Sequence, residues 1–401
     1  MRDVHSLLPG RCNCGGKSGL QLLQGVWDLR GSLQAKSDKD GSRRLLTSNE
    51  AIAEAVRIAK PDIIAAYPIT PQSPIVERLA EMIEKGELNS RFIIVESEHS
   101  AMAVIHGAAT AGARVFTATS SQGLAYMLEM CWWIAGSRLP AVMAVAMRSL
   151  GAPWNIHGDH MDIMLLRDAG WIIGIAENAQ EAFDMTLQAF YVSEEVSLPF
   201  AVGIDGFTMS HTAEVVRIWN PRIPERKQAY RVLPGDEIAV NAVTLGDARM
   251  KARYDLALDL ERSAEVIEKS DADFGNHGGL VEKYRLEDAE FAVIMAGGWC
   301  GDAKDAIDML RDEGIKIGLL RLRFIRPFPR EIIKSLSCKT LVIDRANTDI
   351  FGVLCKEVRA CGLDAKNVVA GLGGLEVGAE DFYRLFRKFA ENRLGEVEWL
   401  L

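Results

Sequence analysis

The run Tyr67-Pro68-Ile69-Thr70-Pro71 follows the apolar stretch Ile63-Ile64-Ala65-Ala66 and precedes a helical pattern. Prolines on both sides of Ile69-Thr70 restrict the backbone, so the Thr70 hydroxyl leaves the chain in a fixed direction. Such a group suits a hydrogen bond to a substrate carbonyl or carboxylate; the plainer alternative is a strand-to-helix turn in which Thr70 caps locally. Glu98, in Ser97-Glu98-His99, comes just after Phe92-Ile93-Ile94-Val95 and opens a stretch of small residues that runs to Ala109. A carboxylate at that place can simply complement the helix dipole. Removed from water it is a stronger base, able to hold a ring nitrogen and drive its protonation. A helix with so few bulky side chains also admits close approach of a cofactor or a second chain. His99 and His106 read as packing or supporting groups. Arg148 closes the apolar run Ala141–Met147, where a guanidinium can clasp a carboxylate through two hydrogen bonds or simply face solvent.

Other conspicuous clusters point less clearly to chemistry. His157-Gly158-Asp159-His160-Met161-Asp162 is rich in metal-type side chains but lacks a ligand spacing such as HExxH, so a pocket-forming loop is expected and no metal ligand is assigned. The run Cys131-Trp132-Trp133-Ile134 reads as helix core or subunit contact. Gly297-Gly298 and Gly371-Leu372-Gly373-Gly374 are turns at strand ends, and neither forms the GxGxxG fingerprint of dinucleotide binding.

Positioning such groups requires strands that end together. Ser120-Ser121-Gln122-Gly123, after Val115-Phe116-Thr117-Ala118, makes a third polar strand end beside those of Thr70 and Glu98. Open α/β sheets place their ligands at the carboxyl ends of their strands. Strands are expected near 62–67, 92–95, 115–119, 141–147 and 200–205, with helices near 74–85, 99–111, 123–136 and 179–193. Thr47 and Glu50 form a capping box ahead of a helix whose Ile52, Ala55, Val56 and Ala59 share a face. Alternating units of this length predict a parallel sheet covered on both sides. Residues 212–285 break the rhythm with a Pro-bearing stretch, Asn220–Pro234, then a charged helical pattern from Asp247 to Lys269 and a linker at Gly275–Gly279. A second α/β unit follows, with strands near 291–295, 316–322, 340–344 and 367–370. The expected division is therefore a disordered extension over 1–45, an α/β domain with its excursion over 46–275, and a second α/β domain over 286–401.

The 401-residue length suffices for two or three domains. A net charge of −9 argues against nucleic-acid or anionic-membrane partners. The longest apolar stretch, Leu139–Met147, is well short of the roughly 18–20 residues of a membrane span. The seven cysteines (12, 14, 131, 300, 338, 355 and 361) are scattered, which suits a reducing cytoplasm. No CxxC occurs, so no iron–sulfur ligand set is expected on this chain; Cys12-Asn-Cys14 is a bare pair in a Gly-rich tail.

These pieces, in order, resemble the alpha subunit of 2-oxoacid:ferredoxin oxidoreductases, most closely the pyruvate type. The resemblance rests on Tyr67–Pro71, Glu98 in Ser-Glu-His, Thr119–Gly123, Met147-Arg148-Ser149-Leu150 and Gly158–Asp162. Leu322-Arg323-Phe324-Ile325-Arg326-Pro327-Phe328-Pro329 and Val342-Ile343-Asp344-Arg345 add to it in the second unit. It implies a thiamine diphosphate pyrimidine-binding-type domain followed by a transketolase C-terminal-like domain. It further implies that Glu98 acts on the pyrimidine ring, promoting the imino tautomer and ylid formation, with Tyr67, Pro68 and Ile69 beside the cofactor. Thr70 and Arg148 would hold the substrate's carboxylate and keto oxygen.

In this family a Gly-Asp-Gly…Asn motif on another subunit holds the diphosphate and its Mg²⁺. Gly246-Asp247-Ala248 is a near miss in the wrong context, so the chain is expected to carry half an active site. The implied partners are beta-, gamma- and delta-type subunits bearing the iron–sulfur clusters, with ferredoxin, coenzyme A and pyruvate or a related 2-oxoacid. Leu375 stands where relatives carry arginine, which puts a coenzyme A or subunit contact there in question. The rival readings are a subunit for a branched-chain or other oxoacid, a non-oxidative thiamine diphosphate enzyme, and a non-catalytic scaffold.

Overall fold

Residues 42–221, 223 and 246–400 are described by a computed structural model of the chain. The expected extension up to residue 41, including Cys12 and Cys14, and most of Asn220–Pro234 lie outside the described residues.

The first half runs β1 (Ser42–Thr47), α1 (Ser48–Ala59), β2 (Ile63–Ala66), α2 (Ser73–Glu84), β3 (Arg91–Ile94), α3 (Glu98–Thr110), β4 (Val115–Thr119), α4 (Ser121–Gly136) and β5 (Val142–Met147). It continues through β6 (Ile172–Ile175), α5 (Ala179–Val196), β7 (Phe200–Asp205), α6 (Thr208–His211), β8 (Ala213–Ile218) and α7 (Gly246–Ser270). The capping box forms as expected: Glu50 N donates to Thr47 Oγ1 at 3.2 Å and Thr47 N donates to Glu50 Oε2 at 2.8 Å. Structure starts earlier than Thr47, however. Ser42–Thr47 pairs antiparallel with β8, so residues 42–45 belong to a strand rather than to an extension. The charged pattern at 247–269 is α7, whose Leu256 and Ile267 are buried.

The second half holds β9 (Val281–Tyr284), β10 (Phe291–Met295), α8 (Cys300–Asp312), β11 (Ile317–Leu322), β12 (Phe324–Arg326), α9 (Arg330–Lys334), β13 (Lys339–Asp344), α10 (Val353–Ala360), β14 (Ala365–Ala370), α11 (Ala379–Ala390) and β15 (Val397–Leu400). Its six strands lie in the order β15-β14-β13-β10-β11-β9, parallel except for β9.

The larger sheet has the order β12-β6-β7-β5-β4-β2-β3, parallel except for β12. Every residue of β4, β5 and β7 is buried, as helices on both faces require. From β2 the chain steps outward to β3 and then crosses back to β4 on the other side of β2. That reversal opens a crevice at the carboxyl ends of β2 and β4, the usual ligand position in open α/β sheets. β12 leaves the second unit straight after β11 and pairs with β6, so one short strand ties the two sheets together.

Candidate functional site

Glu98 is the first residue of α3, and the residue before it caps the helix: Ser100 N donates to Ser97 Oγ at 3.1 Å. Ser97 is thus the cap, and Glu98 stands in the first turn, where its charge complements the helix dipole. Its side chain is only 8% exposed, and its carboxylate has no hydrogen-bond partner among the described residues. It lies across Gly123 at the start of α4. A Cβ at position 123 would stand 2.7 Å from Glu98 Oε1, 2.9 Å from Glu98 Cγ and 2.6 Å from Thr119 Oγ1. The hydroxyls of Thr119 and Ser120 beside it are buried and unpartnered. Buried polar groups are rarely left so, and each costs about 1–3 kcal/mol. Glu98, Thr119 and Ser120 thus bring unused oxygen atoms together at the start of α4.

Tyr67, Pro68 and Thr70 are exposed on the neighbouring loop after β2, with Ile69 half-buried. The loop is pinned from beneath by two fully buried amides that the sequence reading did not single out. Asn49 Nδ2 donates to Pro71 O at 2.9 Å, Gln72 Nε2 to Ala118 O at 3.0 Å, and Ile69 N to Gln72 Oε1 at 3.2 Å. Gln72, not Thr70, occupies the position before α2, so the Thr70 side chain is no cap.

Arg148 meets the same loop from the end of β5. It is 4% exposed, which excludes a plain surface arginine. Its Nη1 donates to Thr70 O at 2.7 Å, its Nε donates to Asn155 O at 3.1 Å, and its guanidinium carbon lies 5.1 Å from the centre of the Trp154 ring. Burial lowers its pKa while the charge of Asp162 opposes the shift. The Arg148 and Ser121 backbone N–H groups share one acceptor, Asp162 Oδ2, at 2.9 and 2.7 Å; Ile163 N donates to Oδ1 at 2.7 Å. Against those donors, burial still pushes the Asp162 carboxyl up to about 8. Asp162 thus sets the spacing between the ends of β4 and β5.

The rest of His157–Asp162 clamps the two halves of the molecule. Asp159 Oδ2 accepts from Gly373 N at 3.0 Å. His160 Nε2 and Arg345 Nη1 both reach Asp205 Oδ1, at 2.7 and 2.8 Å, and Gly298 N donates to Asp205 Oδ2 at 2.6 Å. Burial would raise Asp205, but Arg345 and His160 outweigh it and hold the carboxyl well below its usual range. Among the described residues no group of three or more His, Cys, Asp or Glu is arranged to hold a metal ion. Asp247 stands in the exposed first turn of α7, in no phosphate-binding setting.

Residues 54–272 match the thiamine diphosphate-binding domain of pyruvate flavodoxin/ferredoxin oxidoreductase, and residues 289–382 match core domain II of pyruvate:ferredoxin oxidoreductase. The chain belongs to the pyruvate:ferredoxin oxidoreductase family. It is 41% identical over 374 residues to the pyruvate synthase subunit PorA of Methanothermobacter thermautotrophicus, spanning 89% of this chain and 97% of that protein. It is 38% identical over 385 residues to the ketoisovalerate oxidoreductase subunit VorA of Pyrococcus abyssi, spanning 89% and 97%. Among solved structures, the 2-oxoglutarate:ferredoxin oxidoreductase of Magnetococcus marinus shares the fold, with a TM-score of 0.69, 19% identity, and coverage of 92% of this chain and 70% of that one. A split-gene transketolase chain also matches, with a TM-score of 0.53 and 15% identity over 87% of this chain and 99% of that one. No helix among the described residues is long and apolar enough to cross a membrane.

Proposed function

We propose that this chain is the alpha subunit of a cytoplasmic, multi-subunit enzyme that oxidatively decarboxylates pyruvate to acetyl-CoA and CO2, passing the electrons to ferredoxin. The observation that carries the reading is the Glu98 carboxylate, on a residue only 8% exposed and without a hydrogen-bond partner among the described residues, lying over Gly123 beside the loop that Arg148 and Thr70 share. The crevice fits the aminopyrimidine end of thiamine diphosphate, because a bare carboxylate and unused hydroxyls line it and the missing Gly123 side chain gives them room. When bound, that cofactor supplies the carbon nucleophile and the electron sink for decarboxylation. Glu98 holds the ring nitrogen and exchanges a proton there. Tyr67, Pro68 and Ile69 form the wall beside the cofactor. Thr70 and Arg148 hold the oxoacid's carboxylate and keto oxygen, which fixes the reacting carbon in place.

The diphosphate and its Mg²⁺ belong to a partner subunit, since the sequence carries no Gly-Asp-Gly. The iron–sulfur clusters likewise belong to gamma- and delta-type partners, and coenzyme A accepts the acyl group. A branched-chain oxoacid is the second reading, favoured by the ketoisovalerate relative at 38% identity against 41% for pyruvate synthase. The test is to purify the chain with its partners without oxygen and to measure coenzyme A-dependent viologen reduction across a panel of 2-oxoacids. Reduction that prefers pyruvate is expected. Preference for 2-oxoisovalerate would replace the substrate, and no reduction with cofactor and clusters present would overturn the oxidoreductase.

A further inference from the structure

Arg148 is connected to the second half of the molecule by a short chain of hydrogen bonds. Its Nε donates to Asn155 O at 3.1 Å, and Asn155 Nδ2 donates to Gly373 O at 3.1 Å, in the glycine turn after β14. Asn155 Oδ1 accepts from Ser149 Oγ at 2.7 Å and from His157 N at 2.9 Å, so both ends of the amide are engaged. The neighbouring Asp159 grips the same turn through Gly373 N.

The turn is shaped to receive this loop. A Cβ at Gly374 would lie 2.2 Å from His157 Cβ, and one at Gly373 2.5 Å from Asn155 Nδ2. Both glycines have positive φ, 78° and 62°, a region that residues with a Cβ seldom adopt. Trp154 is 64% exposed and Ile156 37%, while Gly158 and Asp159 are buried. Besides the turn, the loop is held by Ser149 N, which donates to His157 O at 3.0 Å, and by Arg345 of the second half, whose Nη2 donates to Gly158 O at 3.1 Å.

We propose that Asn155 and the Gly371–Gly374 turn are positioning residues for the substrate arginine: the second domain seats the 154–159 loop, and the loop seats the Arg148 guanidinium. The inference rests on the reading of Arg148 as a holder of the oxoacid's carboxylate. It gives the second domain a part in substrate binding through residues that touch no substrate.

The experiment uses the assembled complex and measures oxoacid KM and kcat, together with thiamine diphosphate affinity, for Asn155→Ala, Asn155→Asp, Gly374→Ala and Arg148→Ala, and for each of the first three combined with Arg148→Ala. Asn155→Asp keeps the oxygen that faces Ser149 and His157 but sets a second oxygen against the Gly373 carbonyl. Loss of a guanidinium's fixed position is expected to raise KM on the order of tenfold in each single variant. Thiamine diphosphate affinity should stay unchanged. In the Arg148→Ala background the same substitutions should add almost nothing, because their effect passes through Arg148. Full additivity in that background, or unchanged KM in both Asn155 variants, would overturn the proposal while leaving the role of Arg148 intact. An unchanged KM in Arg148→Ala alone would remove the role of Arg148 and the proposal with it. The Asn155 variants keep the test available if Gly374→Ala fails to fold.

Discussion

Glu98 has room because position 123 carries no side chain. Its Cγ and Oε1 occupy the space a Cβ would take, and Thr119 Oγ1 closes the other side. Gly123→Ala must therefore move a side chain held between two helix starts, and the one with an open side is Glu98. Displacing a proton-transferring carboxylate by about 1 Å can cost on the order of 100-fold in rate. We expect Gly123→Ala to lose activity on that scale and, because the new Cβ also presses on buried Thr119, to cost about 1–3 kcal/mol of stability. A Gly123→Ala complex that turns over at the wild-type rate would show that the carboxylate's place over Gly123 is incidental. The types and flanking residues of Thr70, Glu98 and Arg148 were readable from sequence because a Pro-flanked turn, a helix start and a strand end are local features. Asn49, Gln72, Asn155 and Asp162 were not readable as supports, because each acts on backbone groups brought near only by folding. Gln72 gave a signal as an amide directly after Pro71, and Asp162 as part of the cluster His157–Asp162.

Between elements, the joint of α5 with β11 and the β11–β12 connection holds a buried cluster of charge. Glu181 is fully buried; Arg321 Nη1 donates to its Oε2 at 2.7 Å and Arg323 Nε to its Oε1 at 2.5 Å. Arg323 Nη1 also reaches Asp271 at 3.0 Å. Burial would raise the Glu181 carboxyl, but the two guanidiniums outweigh it and hold it well below the ordinary 4.5. A depressed carboxyl contributes stability that is present above the unfolded value and is lost as pH falls through the folded one. Breaking a buried pair from one side typically costs roughly 3–5 kcal/mol. Glu181→Gln should therefore lower stability by about that much at neutral pH and flatten the loss below pH 4.5, as read by urea melts at a series of pH values. A variant with an unchanged acid limb would show that Glu181 does not govern it.

The βα rhythm of residues 62–205 was legible because each long strand is a continuous apolar run. β6, four residues with Gly174 among them, was not expected, and β12 escaped notice because it spans only Phe324–Arg326 next to Pro327. β1 and β8 carry charged residues and exist through pairing with each other, a partnership across the chain that no local pattern announces.

At the scale of the whole molecule, the two sheets are joined by β12, by the Glu181 joint and by the Asp205 clamp, so the crevice and the glycine turn are held in one arrangement. The crevice presents a carboxylate, an arginine and a threonine loop on one side, and the diphosphate, metal and clusters are proposed to lie on other subunits. On this proposal Glu98 performs proton transfer for an oxoacid oxidation completed by those subunits. The most direct measurement is pyruvate- and coenzyme A-dependent viologen reduction by the intact complex, comparing wild type with Glu98→Gln, an amide of nearly equal volume that cannot accept the proton. The substitution is expected to leave subunit assembly intact and to lower kcat by about 100- to 10,000-fold. Turnover by Glu98→Gln at the wild-type rate would contradict the proposal.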